Sequence, residues 1–176
     1  MHVLDVVAFT MFVCVIVALP FSLFHWFRYL AKRWKARSSH PSVQNAPFPI
    51  KSVVAFVGSI ALAGAAAQVS RQTAQGDVLS ELQAMPSDCH VSIAGRPADN
   101  APKVVQMLGQ LRWGIAHHSS PSHPIFVHLT APGRELVLNL SRDSSNAHEY
   151  WVFLPRYRVT STNDIGRIFT DSLDRY

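Results

Sequence analysis

The chain contains little cysteine and lacks the short motifs that mark many catalytic sites. Its two cysteines, Cys14 and Cys89, are too few for a disulfide framework in 176 residues. There is no G-x-G-x-x-G, P-loop, H-E-x-x-H or C-x-x-C motif, and no nucleophile elbow of the G-x-S-x-G kind. These absences argue against the commonest nucleotide-dependent, zinc-dependent and hydrolytic enzymes. We therefore expect a non-enzymatic protein without a cofactor.

Excess positive charge is absent from most of the chain. Residues 71–176 contain ten Arg or Lys and ten Asp or Glu, so they add nothing to the formal net charge of +5. A nucleic-acid-binding protein would carry its charge on a folded face or in a recognition motif, and neither is visible. We expect no nucleic-acid partner. The cations that account for the charge lie between two apolar segments, with no acid among them: Arg28, Lys32, Arg33, Lys35, Arg37 and Lys51.

The first apolar segment covers residues 6–27 and contains no fixed charge. A bilayer core about 30 Å thick needs about 20 such residues as a helix, and a single segment satisfies its backbone there only as a helix. The sequence predicts transmembrane helix 1 within residues 1–27, with a weakened ladder near Pro20. A signal peptide is the alternative, but the positive n-region is missing.

The second apolar segment, residues 52–69, predicts transmembrane helix 2 within residues 52–70. Small residues at helical spacing, Gly58, Ala61 and Ala65, favour close packing in a helical hairpin or a homo-oligomer. Ala and Gly are also common in membrane helices in general, which explains the stripe equally well. An alternative for the whole segment is an internal signal sequence cleaved after its alanines.

The charge distribution predicts how the chain crosses the membrane. Short loops rich in Lys and Arg stay in the cytoplasm, so we expect a basic cytoplasmic loop at 28–51. Aromatic and basic residues flank the same boundary and are expected to anchor it at the membrane interface. These anchors are Trp26, Tyr29, Lys32, Arg33, Trp34, Lys35 and Arg37.

If the basic loop is cytoplasmic, transmembrane helix 2 carries the chain back across the membrane. The domain that follows this helix is then expected outside the cytoplasm. The strong preference for Arg over Lys after residue 70 is typical of a GC-rich bacterial gene. We therefore expect a multi-pass protein of the bacterial inner membrane with a soluble domain in the periplasm. Cys89, a single cysteine, slightly favours a reducing compartment and points the other way.

Residues 77–176, after a polar linker at 71–76, predict one α+β domain. Helical spacing indicates a short helix at 78–85 and a second helix capped near Asn100. The tail is predicted as a helix, with an edge strand at 165–170 as the alternative. Period-two alternation of apolar residues predicts strands at 89–93, 125–129, 136–140 and 150–154.

The last three of these strands are joined by short turns, which makes them an antiparallel meander. The fold class is therefore a membrane-anchored α+β protein. A two-helix transmembrane hairpin precedes a small two-layer sandwich with an antiparallel sheet of three to four strands.

The second face of the meander is unusually aromatic for a face exposed to water. Either the domain's own helices cover it or it contacts a partner, since exposed aromatic patches mark interaction surfaces. The adjoining turn, rich in polar residues, extends this surface. The predicted partner surface consists of Phe126, Trp151, Phe153, Arg142, His148 and Glu149.

A histidine-rich loop gives the alternative function. His117, His118 and His123 lie close in sequence, and imidazole suits zinc or copper. No cysteine or acid supports their spacing, so a solvated loop explains them better.

The leading prediction is a bacterial inner-membrane protein in contact with the lipid bilayer. Its extracytoplasmic domain is expected to bind another membrane or periplasmic protein, as an envelope accessory or an immunity-like protein would. The alternative is a membrane-tethered enzyme or a metal-binding sensor that uses the histidine-rich loop.

Overall fold

The computed structural model describes residues 3–39, 48–114, 118–174 and 176. The chain divides into two compact units: a helical unit, Val6–Gln68, and a domain built on Val69–Tyr176. The helices are α1 (Val3–Ser39), α2 (Ile50–Gln83) and α3 (Ala101–Leu108). The strands are β1 (His90–Ile93), β2 (Arg96–Pro97), β3 (Pro121–Ala131), β4 (Arg134–Asp143), β5 (Glu149–Phe153) and β6 (Gly166–Phe169).

Helices α1 and α2 are both long and apolar enough to cross a membrane, judged by length and composition. Many large apolar side chains along them are exposed, including Phe12, Ile16, Phe21 and Val54. Such surface is costly in water and inexpensive in lipid. Two candidate membrane-spanning helices are therefore present, as the hydropathy pattern predicts.

The first part of the predicted cytoplasmic loop at 28–51 is helical, and its cytoplasmic location stays a prediction. Helix α1 continues through Pro20 and through the basic residues as far as Ser39. Lys, Arg and Ala are good helix formers, and neither Gly nor Pro interrupts residues 28–39. The middle of the predicted connector, residues 40–47, lies outside the described residues.

The predicted linker at 71–76 and the separate helix at 78–85 are also wrong, because α2 runs without a break to Gln83. The residues before Gly76 include Arg71 and Gln72, which favour helix, and one glycine is tolerated. In the domain, α2 buries Ser70, Ala74, Val78 and Leu82, which recur every fourth residue on one face.

Helix α3 begins where predicted and spans Ala101–Leu108. The side chain of Asn100 accepts a hydrogen bond from the amide of Lys103 at 3.0 Å, which caps the helix. The helix stops at Leu108, and Leu111 is buried in the extended segment that follows.

The domain sheet has six antiparallel strands in the order β2-β1-β3-β4-β5-β6. The three strands of the predicted meander are present as β3, β4 and β5, and β1 pairs with β3. The prediction of three to four strands is wrong because β2 and β6 complete the sheet. Strand β2 has two residues, too few for a periodic pattern, and follows a tight turn at Ala94 and Gly95, whose φ angles are 51° and 77°.

The predicted C-terminal helix is wrong, and the alternative, an edge strand, is present as β6. The spacing of Ile165, Ile168 and Phe169 resembles a helix, but only Phe169 of the three is exposed. Tyr150 pairs with Ile168, and Glu149 pairs with Phe169, so residues 168 and 169 point to opposite faces.

The core lies between one sheet face, called the inner face, and the helices α2 and α3. Val127, Leu138 and Tyr150 on the sheet are fully buried, and Val78 and Leu108 on the helices belong to the same cluster. The opposite sheet face, called the outer face, carries Ser141, Trp151 and Arg167.

Candidate interaction site on the outer sheet face

Three outer-face residues stand side by side on adjacent strands. Ser141 of β4 pairs with Trp151 of β5, and Trp151 pairs with Arg167 of β6. The Arg167 guanidinium carbon lies 4.0 Å from the centre of the Trp151 ring. This distance is that of a cation–π contact, which fixes both side chains.

Arg167 is neutralised by a buried carboxylate. Its Nη1 lies 2.5 Å from Oε1 of Glu149, and the two side chains are 4% and 6% exposed. A second polar group touches the carboxylate, since Asn146 Nδ2 donates to Glu149 Oε2 at 3.5 Å. Removing one member of such a buried pair lowers the stability of the fold by about 3–5 kcal/mol, because the other charge is left buried without a counter-charge.

The segment after α3 closes over the edge of β6. Arg112 and Arg167 exchange two backbone hydrogen bonds, of 2.9 and 2.7 Å, so this segment extends the sheet by one bridge. A Cβ on Gly114 would lie 2.4 Å from Arg167 Nε. Only glycine lets the backbone approach the buried arginine this closely.

Asp143, at the end of β4, fixes the other side of Trp151. Its carboxylate accepts hydrogen bonds from Trp151 Nε1 at 2.7 Å, from the amides of Ser145 and Asn146, and from Ser119 Oγ. Burial acts to raise the pKa of Asp143, but these four donors outweigh it and hold the pKa at about 2. The carboxylate is therefore charged at neutral pH and orients the indole ring.

The six residues of the predicted partner surface differ in exposure and lie in two separate places. Phe126 is 48% exposed and Trp151 is half-buried, whereas Phe153 and Glu149 are buried and offer no contact area. The other two predicted residues belong to a separate cluster.

That separate cluster lies at the end of β4. Arg142 bonds to Asp174 and also donates from Nε to the Tyr150 hydroxyl at 3.1 Å. His148 is exposed and pairs with Asp171. These residues form an ion-pair network at one end of the sheet.

Two exposed aromatic residues escaped the sequence analysis. Phe169, on the outer face of β6, is 51% exposed, and Trp113 is 41% exposed. The Arg71 guanidinium lies 4.7 Å from the Trp113 ring centre and also bonds to Asp164 at 3.0 Å. With the tail as a strand, the alternation of side chains places Phe169 on the outer face.

Phe126, Trp151 and Phe169 form a diagonal across the outer face, here called the aromatic diagonal. The strand pairings place Phe126 on β3 opposite Asn139, Trp151 one row further along on β5, and Phe169 one row beyond that on β6. Strands lie about 4.8 Å apart, so the diagonal spans about 14 Å measured perpendicular to the strands.

No family model, no curated protein and no solved structure matches this chain. Function is therefore inferred from the chemistry of its own residues.

The histidine-rich loop has little geometric support as a metal site. His118 and His123 are exposed, and His117 lies outside the described residues. In the part of the chain that the structure describes, one group brings potential metal ligands within 4.8 Å of one another, namely His148, Asp171 and Asp174. All three are exposed and take part in the ion-pair network of Arg142. We assign no metal to them.

Proposed function

We propose that this is a multi-pass inner-membrane protein whose periplasmic domain binds another membrane or periplasmic protein through the aromatic diagonal. The observation that carries the proposal is the pair of half-exposed phenylalanines, Phe126 and Phe169, on either side of Trp151. Helices α2 and α3 bury their apolar residues against the inner face and leave these aromatics exposed.

The centre of the diagonal is rigid. Trp151 is held on one side by the carboxylate of Asp143 and on the other by the guanidinium of Arg167. An aromatic side chain that is ordered before binding loses little conformational entropy when it contacts a partner. Aromatic residues of this kind contribute much of the binding energy at protein interfaces.

Site-specific photo-crosslinking in cells tests the interaction. We expect a benzoylphenylalanine at position 126 to give one discrete protein adduct, and Phe169→Ser in the same chain to reduce its yield severalfold. Trp113→Ala is the matched control, since it removes an aromatic residue of similar exposure outside the diagonal. Equal yields in all three chains would contradict the proposal.

The proposed topology rests on the basic residues that follow the first apolar segment. Cations in a short connection keep it in the cytoplasm, which directs the domain to the periplasm. Alkaline phosphatase fused after Tyr176 should be active in cells, and a green fluorescent protein at the same position should be dark. The reverse pattern would place the domain in the cytoplasm.

A further inference from the structure

One side of α1 faces α2 near the end of the first apolar segment. Ser22, Trp26 and Tyr29 follow one another at the i, i+4 and i+7 spacing of one helix face. Ser22 Oγ donates to the carbonyl of Ser52 at 3.5 Å. The rings of Trp26 and Tyr29 lie 5.6 and 5.5 Å from that of Phe48, just before α2. This face of α1 is occupied by protein contacts.

A second face of α1 carries three cations at the same spacing. Arg28, Lys32 and Lys35 are separated by four and three residues, and all are exposed. At about 100° per residue, this basic stripe lies about 120° around the helix from the face that contacts α2. Arg28 also lies over Phe24, one turn earlier, at 5.7 Å.

The basic stripe belongs to a unit whose charge is of one sign. Residues 6–68 contain six Arg or Lys and no Asp or Glu. Because α1 stays helical to Ser39, the cations are held at fixed positions along one face. A regular row of cations on an exposed face fits a partner that presents several negative charges in one plane.

The length of the apolar segment sets the depth of the stripe. Residues 6–27 as a helix measure about 33 Å, close to the bilayer core of about 30 Å. The next two turns, which carry the stripe, then extend about 12 Å further and pass through the headgroup layer. The long stems of Arg and Lys let their charges reach the phosphates there.

We propose that the stripe of Arg28, Lys32 and Lys35 binds the headgroup phosphates of anionic phospholipids, of the phosphatidylglycerol class. This inference rests on the proposed insertion of the helical unit into the membrane. Each basic residue near an anionic membrane surface contributes attraction that falls off within a Debye length. The stripe thereby enriches anionic lipid around α1.

Spin-labelled lipids measure this enrichment on the full chain in phosphatidylcholine vesicles. We expect labelled phosphatidylglycerol to associate at least about threefold more strongly than labelled phosphatidylcholine at 0.1 M salt. Arg28→Gln, Lys32→Gln and Lys35→Gln together should remove most of this preference, and 1 M salt should reduce it as well. The control variant changes exposed cations of the domain, Arg96, Lys103 and Arg134, to Gln and should keep it.

Each outcome decides between the two proposals. Release of the full chain from membranes by alkaline carbonate would refute the anchoring itself. Retention with equal association of both lipids, or an equal loss in the control variant, would overturn the lipid site and leave the anchoring intact. Inorganic phosphate should compete no better than chloride at the same ionic strength; stronger competition would show a site for free phosphate instead.

Discussion

Glu149 and Arg167 meet as a buried ion pair on the outer sheet face, with Arg167 Nη1 2.5 Å from Glu149 Oε1. They belong to adjacent strands but are not direct partners, since Glu149 pairs with Phe169 and Arg167 pairs with Trp151. The pair thus ties two rows of the sheet together beneath the aromatic diagonal. It also holds the Arg167 guanidinium against the Trp151 ring.

Arg167→Met should destabilise the domain by about 3–5 kcal/mol, because it leaves the carboxylate of Glu149 buried without its cation. Denaturant unfolding of the full chain in detergent, followed by tryptophan fluorescence, measures the change. Adding Glu149→Leu to the same chain should recover part of the loss, since no buried charge then remains. Arg96→Met, at an exposed position, should change stability by less than about 0.5 kcal/mol. A double variant no more stable than the single one would contradict this account.

Gly114→Ala should destabilise the domain by about 1–3 kcal/mol, the usual cost of overpacking. The new Cβ would lie 2.4 Å from Arg167 Nε, and that side chain is held by Glu149 and Trp151. Gly76→Ala is the matched control, because a Cβ there meets nothing within 4 Å and the residue lies inside α2. The control should stabilise the protein by about 0.5–1 kcal/mol. The two variants are compared by the same denaturant unfolding, and equal effects would show that the approach to Arg167 is not tight.

Acid should weaken the domain through Asp143. The pKa of this carboxyl is about 2 in the fold, below its ordinary value of 3.8, so the charged form stabilises the folded state. The contribution, at most about 2.5 kcal/mol, is complete above about pH 5 and is lost as the pH falls toward 2. Asp143→Asn should lower stability at pH 7 and flatten the dependence between pH 5 and 2.

Trp151→Phe separates the indole hydrogen bond from the rest of this effect. It removes one of the four donors to Asp143, so the pKa of that carboxyl should rise and part of the acid sensitivity should disappear. Nuclear magnetic resonance titration of the Asp143 carboxyl in the full chain checks the direction. An unchanged pKa would show that the backbone amides and Ser119 suffice.

The sequence predicts those elements whose side chains alternate between core and solvent. Strands β3 to β5 show this pattern, and the antiparallel sheet is confirmed. The pattern fails at β2, which is too short to show it. It also fails at α2, where polar residues such as Arg71 suggest a linker by their polarity although they favour helix.

The candidate site was predicted only in part, because its organisation depends on residues distant in sequence. Trp151 and Glu149 lie two residues apart on β5, on the same face, and both belong to the predicted partner surface. Arg167 and Gly114 come from the tail and from the segment after α3, and no local pattern connects them. Because the tail is predicted as a helix, the prediction does not place Phe169 on the outer face of the sheet.

The predicted homo-oligomer through α2 is testable at Gly58. A Cβ at this position meets nothing within 4 Å in the described residues, so a larger side chain should leave the single chain intact. In a packed helix pair, the same side chain would keep the backbones apart. Gly58→Ile should therefore weaken self-association in detergent by about tenfold, which corresponds to about 1.4 kcal/mol.

Gly64→Ile provides the control for this change. Gly64 also faces open space, but at about 100° per residue it lies about 90° around the helix from the middle of the stripe of Gly58, Ala61 and Ala65. Energy transfer between labelled full chains, measured against the protein-to-detergent ratio, reports association. If Gly64→Ile weakens it as much as Gly58→Ile, the small-residue stripe is not the contact surface, and bulk in α2 acts in general. If neither variant changes it, α2 takes no part in self-association.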